Sequence, residues 1–371
     1  VVVERLERSE RARAHGERLG RVLESPRAIA AGWSATVADE RAIYGGQAVL
    51  EGVMMRGVRH MATAVRLPDG RIAVWEEPLD PARWAARVRR IPFVRGVFAL
   101  WETLVLGVRA LVFSAQVAMR YDPELQDERG EGTASGSLRG LLWGTVALSL
   151  ALSVGLFFLL PLGLASVVAG WVSTGWAIHL VEGTLRLGIL LGYLALIGRT
   201  ADIARVFGYH GAEHKTIHAW EQGSSLSVEA ARPYSVLHPR CGTGFLLIVV
   251  ALSVVVFAFL GWPSLLWRIV SRIALIPVIA ALAYEVIRLG ARWYRLWPVR
   301  VLLWPSLALQ RLTTREPDDA MLETAVVALH RVLVAEGQAV PALEVGRPVI
   351  VVDSLGAERS QAVPVGREAG E

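Results

Sequence analysis

Between Arg199 and Thr243 the chain gathers four of its eight histidines, its only cysteine and its only lysine. The run Tyr209-His210-Gly211-Ala212-Glu213-His214-Lys215 contains the order H-x-x-E-H. On a helix, that order sets His210 and His214 one turn apart on one face, with Glu213 beside the second. Two imidazoles so placed can grip one divalent ion, and an adjoining carboxylate can deprotonate a bound water. The implied cofactor is a divalent metal ion, zinc first, with Glu213 as the base. His218 and Glu221 extend the same face, and His238 and Cys241 approach from the far side of the segment. A third ligand stays open among Glu51, Glu221, His238, Cys241 and Glu285.

Cys241 adjoins Arg240 at the start of an apolar run, where a helix dipole and a cation would lower a thiol pKa and suit a ligand or nucleophile. The plain alternative is a small residue packed at a helix start. Lys215 stands alone among arginines, which points to a task needing a compact ammonium or an exchangeable proton. Its plain alternative is a solvated surface lysine.

The elements that must position these groups are mostly apolar. Hydrophobic residues make up 53% of the 371, too many for an ordinary soluble enzyme, and the implied partner is the lipid bilayer. Basic residues number 39 against 34 acidic. Without aromatic interleaving, that excess reads as topology-setting charge, so no nucleic-acid partner is expected. One cysteine makes no internal disulfide.

No Asp, Glu, Lys or Arg occurs from Gly140 to Val181, enough for one span and most of a second at about 20 residues each. Spans are expected near 141–165 and 176–198, over Cys241 to Trp267, and from Ile273 to about Arg292, the last interrupted by Glu285 and Arg288. Glu182 with Arg186, and Glu285 with Arg288, have the spacing of helical ion pairs and should face the protein interior. Four crossings put both termini and the 199–243 segment on one side. Arg199, Arg205, Lys215, Arg232 and Arg240 assign that side to the cytoplasm, against Arg268 and Arg272 on the other.

The remaining segments follow from composition. Residues 1–40 read as a charged extension and 41–90 as a Gly-rich motif with a hairpin, Thr63 to Leu67 and Arg71 to Trp75 flanking Pro68-Asp69-Gly70. Over 91–120, Arg95, Glu102 and Arg109 share one face of an apolar helix, expected to be amphipathic or partly embedded. Residues 121–140 read as a linker, 141–198 and 244–292 as the two span pairs, and 199–243 as a cytoplasmic loop. In 293–337, Pro298 and Pro305 break the chain before a helix that starts at Pro317 and runs to about Val334. Residues 338–371 read as a tail. The fold class is mainly α, polytopic, with about four transmembrane helices, one embedded helix and a small cytoplasmic β-hairpin element.

Several of these runs occur together in order: Gly45-Gly46-Gln47-Ala48-Val49, Glu51-Gly52-Val53-Met54-Met55-Arg56-Gly57, the histidine run, His238-Pro239-Arg240-Cys241-Gly242-Thr243, Tyr284-Glu285 with Arg288, and Gln310 to Asp319. Together they resemble the YqhQ-like family of bacterial membrane proteins, over roughly residues 41 to 335. The resemblance implies an inner-membrane protein of unassigned reaction, described as a metal-dependent enzyme; His218 and both terminal extensions lie outside its motifs. The resulting expectation is a metal-dependent hydrolase at the cytoplasmic membrane face. The rival class is a non-catalytic scaffold, sensor or ion-handling protein.

Overall fold

Alternation of side chains along four consecutive strands gives the N-terminal sheet an apolar surface on each face. In the computed structural model these strands are β1 (Gly45–Val49), β2 (Gly52–Arg56), β3 (His60–Arg66) and β4 (Ile72–Pro78), an antiparallel meander. Residues 44–79, 91, 93–121, 135–171, 175–293, 296–343 and 346–359 are described. The charged extension to residue 40, the arginines at 83, 87, 89 and 90, most of the 121–140 linker and residues 360–371 lie outside them. The expected hairpin is the β3–β4 pair, with Gly70 at φ +87° supplying the turn conformation that β-carbons oppose. Strand β5 (Val349–Val351) pairs parallel to β4. The expected tail therefore contributes an edge strand.

The helices are α1 (Val94–Tyr121), α2 (Ser135–Val154), which passes through a π-helical turn at Gly155–Leu159 into α3 (Leu160–Val168), α4 (Gly175–Ile197), α5 (Ala201–Glu221), the short α6 (Val228–Ala231), α7 (Thr243–Leu260), α8 (Leu265–Ala274), α9 (Ile276–Arg292), α10 (Trp297–Thr313) and α11 (Asp319–Ala335). Helices α5 and α11 cover one face of the sheet, where Val53, Met55, Ala62, Ala64, Ile72 and Val74 meet Tyr209, Ala212, Leu322 and Leu329. The C-terminal half of α1 covers the other face, with Leu106, Ala110, Phe113 and Val117 packed on Met54, Met61, Val65 and Trp75.

Among the described residues four helical segments are long and apolar enough to cross a membrane: Val94–Tyr121, Trp143–Trp171, Trp176–Ile197 and Thr243–Leu260; α8 and α9, bent by 46°, pass together as one more. The third expected span ends early, at Leu260, because Gly261 turns the chain at φ +67°. The charged stripe of α1 is paired to protein throughout: Arg95 with Glu285, Glu102 with Arg56 at 3.0 Å and Arg109 with Glu77 at 2.9 Å. Arg95, not the expected Arg288, is the salt-bridge partner of Glu285.

Two further expectations are corrected. The 199–243 segment is not a loop: half of it is α5, whose side chains are buried nearly all round by sheet and α11. Pro305 does not break the chain but lies inside α10. One lost ladder bond is offset there by packing against α7, where Gly244 admits Ser306, and against α9, where Gly290 admits Leu303. Gly211 is required within α5, because the extended chain at Arg315 runs along the helix; a β-carbon on residue 211 would stand 2.0 Å from the Arg315 carbonyl oxygen.

A backbone clash of that kind cannot be relieved by a rotamer change. Gly211→Ala is expected to destabilise the protein by about 2 kcal/mol or more, whereas Gly45→Ala, which meets open space, is expected to cost less than half as much. Melting curves of the two variants check this, and equal melting points would contradict it.

Candidate metal centre

The register of α5 places His210, His214 and His218 along one stripe, and main-chain carbonyls from outside the helix fix each ring. His210 Nδ1 lies 2.8 Å from the Thr313 carbonyl and His214 Nδ1 2.5 Å from the Val236 carbonyl. A carbonyl only accepts, so both Nδ1 atoms carry the proton and both Nε2 atoms present a lone pair. His210 Nε2 is 3.2 Å from Cys241 Sγ. One Glu213 carboxylate oxygen stands 4.0 Å from each imidazole Nε2. His214 is 1% exposed, and its Nε2, aimed among these groups, has no hydrogen-bond partner. Ligand atoms of His210, His214 and Cys241 lie within 4.8 Å of one another. A buried lone pair facing further donors of electron pairs is costly without a proton or cation between them. Two imidazoles, one sulfur and a nearby carboxylate fit a borderline-soft divalent ion such as zinc.

The surrounding groups tune the centre. Burial raises the Glu213 carboxyl pKa, opposed by His210 and by the Gly46 main-chain N–H that Glu213 accepts. Burial pushes the Cys241 thiol up to about 12. This corrects the expected lowering: Arg240 is drawn away to an ion pair with Glu221, and Cys241 precedes the helix, accepting instead from the Thr243 N–H at 3.4 Å. A metal-free thiolate nucleophile is thereby disfavoured, while a metal ligand is not.

A second cluster, His218, Glu221 and His238, adjoins the first, the rings of His214 and His238 being 5.5 Å apart. Its ring nitrogens are held partly within the cluster and partly by main-chain groups outside it. His238 Nδ1 accepts from the Arg240 N–H at 3.3 Å and its Nε2 faces Glu221 at 3.4 Å; His218 Nε2 donates to the Leu237 carbonyl at 3.0 Å. His238 and Glu221, named as candidate ligands, thus belong with His218 to a second set that could hold an ion, beside the set of His210, His214 and Cys241. Gln310, whose side chain accepts from the His238 N–H and donates to its carbonyl, both at 2.9 Å, fixes this turn.

Three candidates lie elsewhere. Glu51 pairs with Arg205 and accepts from Tyr209, and Glu285 pairs with Arg95 and the Phe93 N–H. Lys215 points away from the histidine stripe, its Nζ at 2.6 Å from Glu316 and donating to the Arg232 carbonyl at 2.7 Å. It clasps α5 to the segments before α11 and after α6. The contributions of Gly46, Thr313 and Val236 went unseen in the sequence because each acts through its main chain; Gln310 had a signal, since it opens one of the recurrent runs.

Residues 91–335 match the family described as "Protein of unknown function (DUF1385)". The chain is also 36% identical over 295 residues to "Uncharacterized protein YqhQ" of Bacillus subtilis (strain 168), covering 78% of this chain and 92% of that one. The chain belongs to the DUF1385 family. No solved structure matches it. The resemblance of the recurrent runs to the YqhQ-like family therefore holds, and in this DUF1385 protein the matched region holds the whole histidine cluster but not β1 to β4.

Burial holds His218 at a pKa of about 3 and His238 at about 4, against an ordinary 6.5. Both are neutral in the fold, and the unfolded chain binds more protons below 6.5. Their stabilisation is complete above pH 6.5 and lost as pH falls toward 4. Thermal melts over that range are expected to show the loss, and a shallower one in His218→Phe. A flat wild-type profile would contradict the buried neutral cluster.

Proposed function

We propose that this DUF1385 protein is a polytopic inner-membrane, metal-dependent hydrolase with its centre at the cytoplasmic membrane face. The observation that carries the reading is the buried, unpartnered His214 Nε2, flanked by His210 Nε2, Cys241 Sγ and the Glu213 carboxylate.

His210, His214 and Cys241 would hold the ion, their orientation set by the Thr313 and Val236 carbonyls and the Thr243 N–H. A divalent ion bound there supplies a Lewis acid and makes water a nucleophile at neutral pH. Glu213, raised in pKa by burial, accepts the proton of the attacking water and returns it to the leaving group. His210 and Cys241 are only partly buried, so the centre is not sealed on their side. The non-catalytic reading draws on the burial of Glu213 and His214: with the carboxylate as fourth ligand the site would be closed and structural.

Membrane placement follows from a parity argument. The strands, α5 and α11 form one packed body, so an even number of crossings must separate Pro78 from α5, and again α5 from α11. Trp143–Trp171 with Trp176–Ile197, then Thr243–Leu260 with the bent α8–α9 pair, satisfy this. A crossing by α1 would not, which agrees with its sheet-bound half. The basic residues of the 199–243 segment put this body in the cytoplasm.

Purified protein is expected to carry about one divalent ion per chain. His210→Ala, His214→Ala and Cys241→Ser should lose most of it, while Glu285→Gln and Lys215→Arg keep it. Glu213→Gln should keep metal but fail to complement a deletion strain. Full metal in the three ligand variants removes the centre, and full complementation by metal-replete Glu213→Gln favours the structural reading. For topology, reporters inserted after Gly223 and after Trp262 are expected on opposite sides; the same side for both rejects the four-span arrangement.

A further inference from the structure

A second polar cluster lies at the other end of the bundle. Along α7, Ser253 and Phe257 are ten and fourteen residues beyond Thr243, roughly 15 and 21 Å at the rise of an α-helix; Ser253 meets Arg186, and Phe257 lies under Arg186 and Arg272. Arg186 on α4 donates to Glu182 at 2.8 Å, to Ser253 and to the carbonyl of Phe157 in the π-helical turn. Arg272 on α8, 0% exposed, donates to both oxygens of the same carboxylate at 3.2 and 2.7 Å. Arg268 stacks over Trp262 at 4.2 Å and donates to Ser166 at 3.1 Å.

Three guanidiniums thus face a single carboxylate, an excess of two positive charges among the described residues, with Arg272 and Glu182 the charged groups acting on Arg268. Phe257 and Trp262 lie against Arg272, but cation–π contact offsets only part of the cost of charge in an apolar bundle. Three buried nitrogens also lack hydrogen-bond partners: both ring nitrogens of His179, which is 1% exposed, and Nε of Arg268. His179 Nδ1 stops 3.8 Å short of Glu182, its ring meets Trp262 edge-on at 5.5 Å, and the Gly261 main chain is its other polar neighbour. Cations in excess of carboxylate and N–H groups without protein acceptors converge on one tryptophan, the chemistry that recognises an anion.

We infer that His179, Arg268 and Arg272 bind a phosphate-type oxyanion of net negative charge beside Trp262, either free phosphate or the headgroup of an anionic phospholipid, and not the zwitterionic headgroup of phosphatidylcholine. Guanidinium forks match such an anion in geometry, and one or two negative charges balance the cluster. Glu182 and Arg186 form the wall behind it and set its depth.

The test uses full-length protein in nanodiscs of phosphatidylcholine alone, melted with increasing sodium phosphate against sodium gluconate at constant ionic strength. A second set of discs carries phosphatidylglycerol, in gluconate only. A saturable rise of about 3 °C or more is expected in one arm. The phosphate arm assigns free anion and the phosphatidylglycerol arm a headgroup. Arg268→Gln and His179→Phe, which spare the fully buried pair, are expected to weaken half-saturation by about tenfold without changing metal content. No saturable rise in either arm overturns the inference, as does an equal rise in both variants. Should either variant fail to fold, Glu182→Gln serves: by adding one net positive charge it is expected to tighten half-saturation, and unchanged or weaker binding overturns the site.

Discussion

Imidazole N–H groups locked onto main-chain carbonyls are the constraint on which the candidate centre depends. His210, His214 and His218 leave one helix to bond Thr313, Val236 and Leu237, so two further stretches of chain must be in place beside α5 before all three rings are oriented. Those stretches are held in turn by α10, which runs through Pro305 to deliver Gln310 and Thr313, and by the extended chain at Arg315, which lies so close to α5 that residue 211 must be glycine. The sheet closes the other side, with the Gly46 N–H reaching Glu213. What looks like a loose loop between two apolar helices is therefore fixed from several sides.

Charge is handled in two ways. In the sheet body each cation met at the helix contacts has its own carboxylate, as in Arg56 with Glu102, Arg66 with Glu323 and Arg205 with Glu51. Among the apolar helices Arg186 and Arg272 share one. The first pattern fastens elements together at modest energetic gain. The second leaves charge unbalanced where imbalance costs most, and a structural purpose alone would be met more cheaply by apolar side chains.

Features written in local chemistry were legible. The hairpin was visible in its Pro-Asp-Gly turn, the start of α11 in Pro317 followed by aspartates, with Asp318 capping the Met321 N–H at 2.8 Å, and the Glu182–Arg186 pair in its spacing. The stripe of His210 and His214 followed from helical periodicity, and the candidate apolar helices from their length. What stayed hidden is decided by partners distant in sequence. Glu51 and Glu285 were eligible ligands until Arg205 and Arg95 took them, and Cys241 was expected to be acidic until Glu221 claimed Arg240. Strand β5 carries too few residues to announce itself and exists because β4 offers an edge. A proline in α10 signals a break unless the helices packed around it are known.

The central claim is that two imidazoles and one thiolate from His210, His214 and Cys241 share one ion. X-ray absorption at the metal edge of the purified protein tests it most directly. The account predicts zinc with two nitrogen neighbours at about 2.0 Å, one sulfur at about 2.3 Å and a remaining oxygen, the sulfur vanishing in Cys241→Ser. A first shell of nitrogen and oxygen alone in the wild type would contradict it.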